Sequence, residues 1–70
     1  MNGWSNWDTW NCELHISNDE YAYRAFRKCW KKEQVKDLWL EFFGEGFDEV
    51  ETANVDFQEI LESNEDSDEL

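Results

Sequence analysis

Basic charge is scarce in this chain: six Lys and Arg stand against 18 Asp and Glu, leaving a formal net charge of −12. Phosphate binding relies on Lys and Arg, so DNA, RNA and anionic membranes are disfavoured as direct partners. A protein with a basic surface suits the charge better. All six cations, Arg24, Arg27, Lys28, Lys31, Lys32 and Lys36, lie in one central stretch. Pairing with Glu20, Glu33, Asp37 and Glu41, some at i, i+4 spacing, explains them more simply than a nucleic-acid patch. Long apolar runs are missing as well. Nothing approaches the roughly 18 consecutive apolar residues of a membrane span, and Met1-Asn2-Gly3-Trp4 has neither the basic nor the apolar region of a signal peptide. The closing Asp68-Glu69-Leu70 is similar to a retention signal of the endoplasmic reticulum, but Ser67 stands where such signals carry Lys or His. The expected location is the cytoplasm, where the two cysteines, Cys12 and Cys29, stay reduced.

Recognisable catalytic grammar is also lacking. Cys12, His15 and Cys29 are the only soft-metal ligands, and a closed structural zinc site needs four. An isolated cysteine is most often a small buried hydrophobe, so no metal or other cofactor is expected. No orienting motif surrounds a Cys–His nucleophile pair. Asn64-Glu65-Asp66-Ser67-Asp68-Glu69 lacks the glycine and the spacing of a calcium loop. The many carboxylates carry no acid–base signature and read as solvated charge. The chain is therefore expected not to be an enzyme.

What the chain does have is aromatic side chains: five Trp, five Phe and two Tyr in 70 residues. At this size one core rarely supplies more than roughly 3–5 kcal/mol, and each buried aromatic removes about 150–250 Å² from water. Trp7, Trp10, Trp30, Trp39, Phe26, Phe42 and Phe43 are the expected core. Trp4, outside the periodic face, is the aromatic expected to stay accessible.

The spacing predicts an all-α fold, a compact single-domain bundle of three to four short helices. Ser5 or Asn6 can cap a first helix whose Trp7, Trp10 and Leu14 share a face, ending near Ile16. Ser17 and Glu20 form a capping box, with Ile16 and Tyr21 as a hydrophobic staple. Ala22, Ala25, Phe26, Cys29 and Trp30 make a second stripe, and Val35, Leu38, Trp39, Phe42 and Phe43 a third. The two stripes point in nearly opposite directions, so either the chain bends near residues 31–34 or one long helix is buried on different sides. The bend is preferred, although no strong breaker stands there. Gly44-Glu45-Gly46 ends the helix, and Phe47 and Val50 suggest a short turn. Asp56 with Glu59, and Val55 with Ile60, then start a last helix that docks through Phe57, Ile60 and Leu61 and ends near residue 62. Residues 1–62 form the domain, and the acidic segment 63–70 is expected to be a disordered tail.

Gly3-Trp4-Ser5-Asn6-Trp7-Asp8-Thr9-Trp10, with Ser17-Asn18-Asp19-Glu20, resembles a family of short uncharacterised proteins of bacteriophages, plasmids and some bacteria that open on a Gly-Trp-Ser/Thr-Asn-Trp/Tyr-X-Thr-Trp motif. Asn54-Val55-Asp56-Phe57-Gln58-Glu59-Ile60 is similar to a Val-Asn/Asp-Trp-X-Glu-Ile segment of the same family. The resemblance implies a phage-type origin and the redirection of a host protein, with no catalytic residues to carry over.

Two functions fit these readings. The first is a non-enzymatic protein-binding factor that engages a host protein through a helical face with acidic steering. The second is a DNA mimic whose carboxylates occupy the channel of a restriction enzyme, a CRISPR effector or a polymerase. Trp4 and the acids Asp48, Glu49, Glu51 and Glu59 of the folded region are the candidate partner-binding residues.

Overall fold

The computed structural model describes residues 3–68, with side chains described as far as Asn64. Four α-helices follow one another, α1 (Trp7–Asn18), α2 (Glu20–Arg27), α3 (Lys32–Phe42) and α4 (Phe57–Asp68), and two 3₁₀ turns, Phe47–Glu49 and Thr52–Asn54, lie between α3 and α4. Among the described residues there is no strand, and the all-α expectation holds. The core is one cluster: Cys12 and Ile16 of α1, Ala22 and Phe26 of α2, Val35, Leu38 and Trp39 of α3, Val50 and Val55 of the connection, and Phe57, Ile60 and Leu61 of α4. Trp39 at its centre is fully buried.

The caps explain the boundaries. Asn6 accepts the Thr9 amide at 2.8 Å and starts α1. Asp56 accepts the Glu59 amide at 3.1 Å and starts α4, with Val55 and Ile60 both buried beside it. The expected box at Ser17 is displaced. Asp19 is the residue that caps α2, accepting the Ala22 amide at 2.9 Å. Ser17 instead belongs to the last turn of α1, which runs two residues past Ile16, and its hydroxyl donates to the Glu13 carbonyl at 2.6 Å. Asp accepts a cap bond as well as Ser does, so the competing signal two residues on won. Tyr21 points to solvent, and no staple with Ile16 forms.

The α2 and α3 stripes belong to separate helices, as the bend required, but the break comes slightly early. α2 ends at Arg27, and Gln34 accepts the Trp30 and Lys31 amides at 2.7 and 3.1 Å, which fixes the start of α3 from its own third position. Gly44, at φ 98°, and Gly46, at φ 80°, then turn the chain out of α3 as expected of the two glycines.

Two expectations about burial fail. In α1 the inward face is Thr9, Cys12 and Ile16, while Trp7 is 43% exposed and Trp10 and Leu14 are half-buried. Both sets have i, i+3, i+7 spacing, and at about 100° per residue they lie on nearly opposite sides of the helix. Hydrophobicity favours the tryptophan face. Hydrogen bonding favours the other, because the Thr9 hydroxyl has the Asp56 amide waiting across the core boundary. Trp30 and Phe42 are also outside, at 68% and 42% exposed. The last helix is longer than expected. α4 passes residue 62, Ser63 donates to the Ile60 carbonyl at 2.8 Å, and buried Asn64 donates to the Phe26 carbonyl at 3.0 Å. Of the rest of the segment expected to be disordered, residues 65–68 are described as helical backbone alone, and residues 69–70 lie outside the described residues.

Candidate functional site

Short polar side chains near the N-terminus meet the segment between α3 and α4 along one seam. The Thr9 hydroxyl accepts the Asp56 amide at 2.9 Å, and Asn6 Nδ2 donates to the Asn54 carbonyl at 2.8 Å. Ser5 gives its amide to Glu59 Oε1 at 3.1 Å and its hydroxyl to the same oxygen. Asp8 accepts the Glu51 amide and Asn54 Nδ2, both at 3.2 Å. Each bond joins residues at least 43 positions apart, so the two stretches singled out in the sequence are in direct contact. The seam gives Ser5 and Thr9 a structural role and adds a second one to Asn6, the cap of α1.

Beside the seam the chain turns through two consecutive left-handed residues that are not glycine, Asp48 at φ 49° and Glu49 at φ 66°. Each such residue costs of order 1 kcal/mol or more unless its surroundings hold it. Here they do. Asn11, buried in α1, donates Nδ2 to Asp48 Oδ2 at 3.1 Å, and His15 Nε2 meets the same oxygen at 2.9 Å. The His15 ring is in turn held edge-on by Phe47 at 5.0 Å between centroids and packs near Phe43 and Trp39. The hydrogen bond from His15, then that from Asn11, keeps the Asp48 carboxyl below its ordinary range, against a small opposing effect of desolvation. The turn thus presents Asp48, Glu49 and Glu51 to solvent from a fixed backbone.

The five candidate residues therefore divide. Asp48, Glu49 and Glu51 are exposed on one turn. Glu59 is half-buried and engaged by Ser5, which gives it work inside the fold. Trp4 is half-buried against the core and is not the accessible aromatic. The accessible aromatics are Trp7, Tyr21, Trp30, Phe42 and Phe47, and hydrophobic periodicity had placed most of them inside. Trp30 could have been recognised, because it follows the last turn of α2 and a cation can cover its face: Lys31 Nζ lies 4.6 Å from the ring centroid. The expected ion pairing is thin. Arg24 and Glu20 pair at 2.6 Å, whereas Lys28, Lys32 and Lys36 have no carboxylate partner among the described residues.

Cys12 is fully buried, and burial, with the nearby Glu13 charge, pushes its thiol far above the ordinary range. It is a core side chain and no nucleophile at neutral pH. Cys29 is half-buried, its thiol also raised by burial, and it donates to the Ala25 carbonyl at 3.5 Å. Among the described residues no three His, Cys, Asp or Glu side chains are grouped so as to hold a metal ion.

The class this arrangement defines is a small acidic helical domain with a rigid carboxylate-bearing turn and several exposed aromatics. The chain belongs to a family of unknown function (DUF7249), which it matches over residues 1–69. No curated protein and no solved structure matches it.

Proposed function

We propose that this protein is a small acidic, non-enzymatic binding factor that engages another protein through the turn carrying Asp48, Glu49 and Glu51. The observation that supports this most directly is the backbone of that turn. Two left-handed, non-glycine residues are held by a buried asparagine and a histidine, a costly way to display carboxylates that solubility alone would not require. Fixed carboxylates lose little entropy on binding, and a net charge of −12 steers association with a basic partner. The exposed aromatics supply the apolar contacts that charge does not. The resemblance in the opening motif supports a phage-type origin, with a host protein in the host cytoplasm as the partner. No described helix is long and apolar enough to cross a membrane.

One observation also favours the DNA-mimic reading. Asp8, Asp48 and Glu51 are anchored to the folded body by hydrogen bonds, and mimicry requires acids on a rigid surface. A single experiment addresses both readings: capture from host lysate with the tagged protein, beside a variant with Glu49→Gln and Glu51→Gln. The acidic-face reading expects a retained protein that the variant loses and that salt releases. Release of that protein by duplex DNA would favour mimicry. Equal retention by the variant would overturn both.

A further inference from the structure

A groove of about 550 Å³ lies between α3 and the segment that leads into α4. Lys32, Glu33 and Lys36 line it from α3, and Asn54, Val55 and Phe57 are among the residues lining it from the other segment. The volume falls in the range of ordinary ligand clefts. What sets it apart in so acidic a protein is the lysine pair. Lys32 and Lys36 are exposed and have no carboxylate partner among the described residues, although acids outnumber bases three to one over the chain. Unpaired lysines that converge on a concavity are the cations most available to an incoming anion.

The geometry selects the form of that anion. Residues four apart on a helix lie about 5–6 Å apart at Cβ, and side chains two apart on an extended strand repeat at about 6.6 Å on one side, with the intervening side chain opposite. The groove has a lysine wall and a wall that includes Val55 and Phe57. We propose that it docks an extended acidic segment of a partner protein, with carboxylates on alternate residues against Lys32 and Lys36 and the intervening apolar side chain against the exposed edges of Val55 and Phe57, each 8% exposed. Glu33 and Asp56 also line the groove. Both oppose the ligand; the Asp56 carboxylate is held at the cap of α4 by the Glu59 amide, so Glu33 is the one that can be neutralised without touching the fold. A polyanion such as duplex DNA meets the whole negative surface and is repelled, whereas a segment with two carboxylates meets mainly this pair. The groove uses different side chains from the acidic turn, so each site can fail without the other.

The test is an amide chemical-shift titration of the full chain with a blocked Gly-Glu-Leu-Glu-Gly peptide, alongside the same peptide with glutamine in place of both glutamates. Ser5 and Asn6 line the groove as well, so the proposal expects shifts confined to residues 5–6, 32–36 and 54–58 and weaker binding of the glutamine peptide. Lys32→Gln combined with Lys36→Gln should weaken the acidic peptide about tenfold, and Glu33→Gln should tighten it about two- to threefold. All three positions are exposed, so the fold should persist, as an unchanged melting temperature would verify, and the gain from Glu33→Gln cannot come from misfolding. Equal binding of the two peptides, shifts centred on Trp30, or no shifts at millimolar peptide would overturn it.

Discussion

The two sides of this molecule are held by different forces. Where the N-terminal segment and α1 meet the connection into α4 and its first turn, the contacts are hydrogen bonds that Ser5, Asn6 and Asn11 donate and Asp8 and Thr9 accept. Where α2 meets α3, the contacts are apolar, through Ala22, Phe26, Val35 and Leu38, and the outward surface carries the basic residues and Trp30. Directional bonds fix one arrangement and tolerate little substitution. Apolar stripes tolerate exchange of similar shapes and leave long side chains free for other work. The side that determines the fold uniquely is thus the polar one, although the sequence advertises it least.

The largest effect should come from the centre that both sides share. Trp39→Ala removes a fully buried indole and should cost about 3–5 kcal/mol, enough to leave a domain of this size largely unfolded. Far-UV circular dichroism at 25 °C would show it, and a cooperative melt near that of the parent would contradict the central role of Trp39. The seam comes next. Thr9→Val keeps the shape but leaves the Asp56 amide without its acceptor, for an expected loss of about 1–3 kcal/mol in urea unfolding. A change below about 0.5 kcal/mol would make the seam a consequence of the fold and not a cause of it.

The last helix offers a smaller contrast. Truncation after Asn64 should leave the melting temperature unchanged within about 2 °C, whereas truncation after Glu62 also removes the buried bond to the Phe26 carbonyl and should lower it by about 4–8 °C. Identical melts for the two would return the domain boundary to residue 62. Acid should act on the contact of Asp48 with His15 and Asn11. The Asp48 carboxyl sits below its ordinary value of 3.8, so the unfolded chain takes up that proton more readily. The stability this contact provides is complete above pH 3.8 and drains away as pH falls through that value and then through the lower folded one. Between pH 6 and 3, Asp48→Asn should lose less stability than the parent in denaturant titrations, and parallel curves would sink the idea. Smallest of all, Trp30→Ala should change stability by less than about 0.5 kcal/mol, since the ring is 68% exposed, while weakening any partner that uses this ring.

The apolar side was largely legible in the sequence. The cores of the α2 and α3 stripes (Ala22 and Phe26, and Val35, Leu38 and Trp39, without Trp30 and Phe42), the glycine exit, and the Asp56 cap with Val55 and Ile60 are local signals that appear in the structure. The seam was not legible, because its partners are too distant in sequence for any periodic pattern to connect Thr9 with Asp56. The same blindness reversed α1: an aromatic stripe and a Thr–Cys–Ile stripe were equally periodic, and a long-range hydrogen bond settled which one turned inward. In the candidate site, the acids of the turn could be named from composition. Their left-handed backbone could not, since Asp48 and Glu49 carry no glycine to announce it.

The separation of the seam's partners also bears on how the protein is born. Ser5, Asn6 and Thr9 wait for residues 47–54 positions further along the chain. At about 5–20 residues per second of synthesis, that is a delay of roughly 2–10 s during which α1 has no reason to choose its inward face. The nascent N-terminal segment therefore emerges with its tryptophan stripe uncommitted, and a chaperone that reads exposed aromatics would meet this protein before its own last helix does.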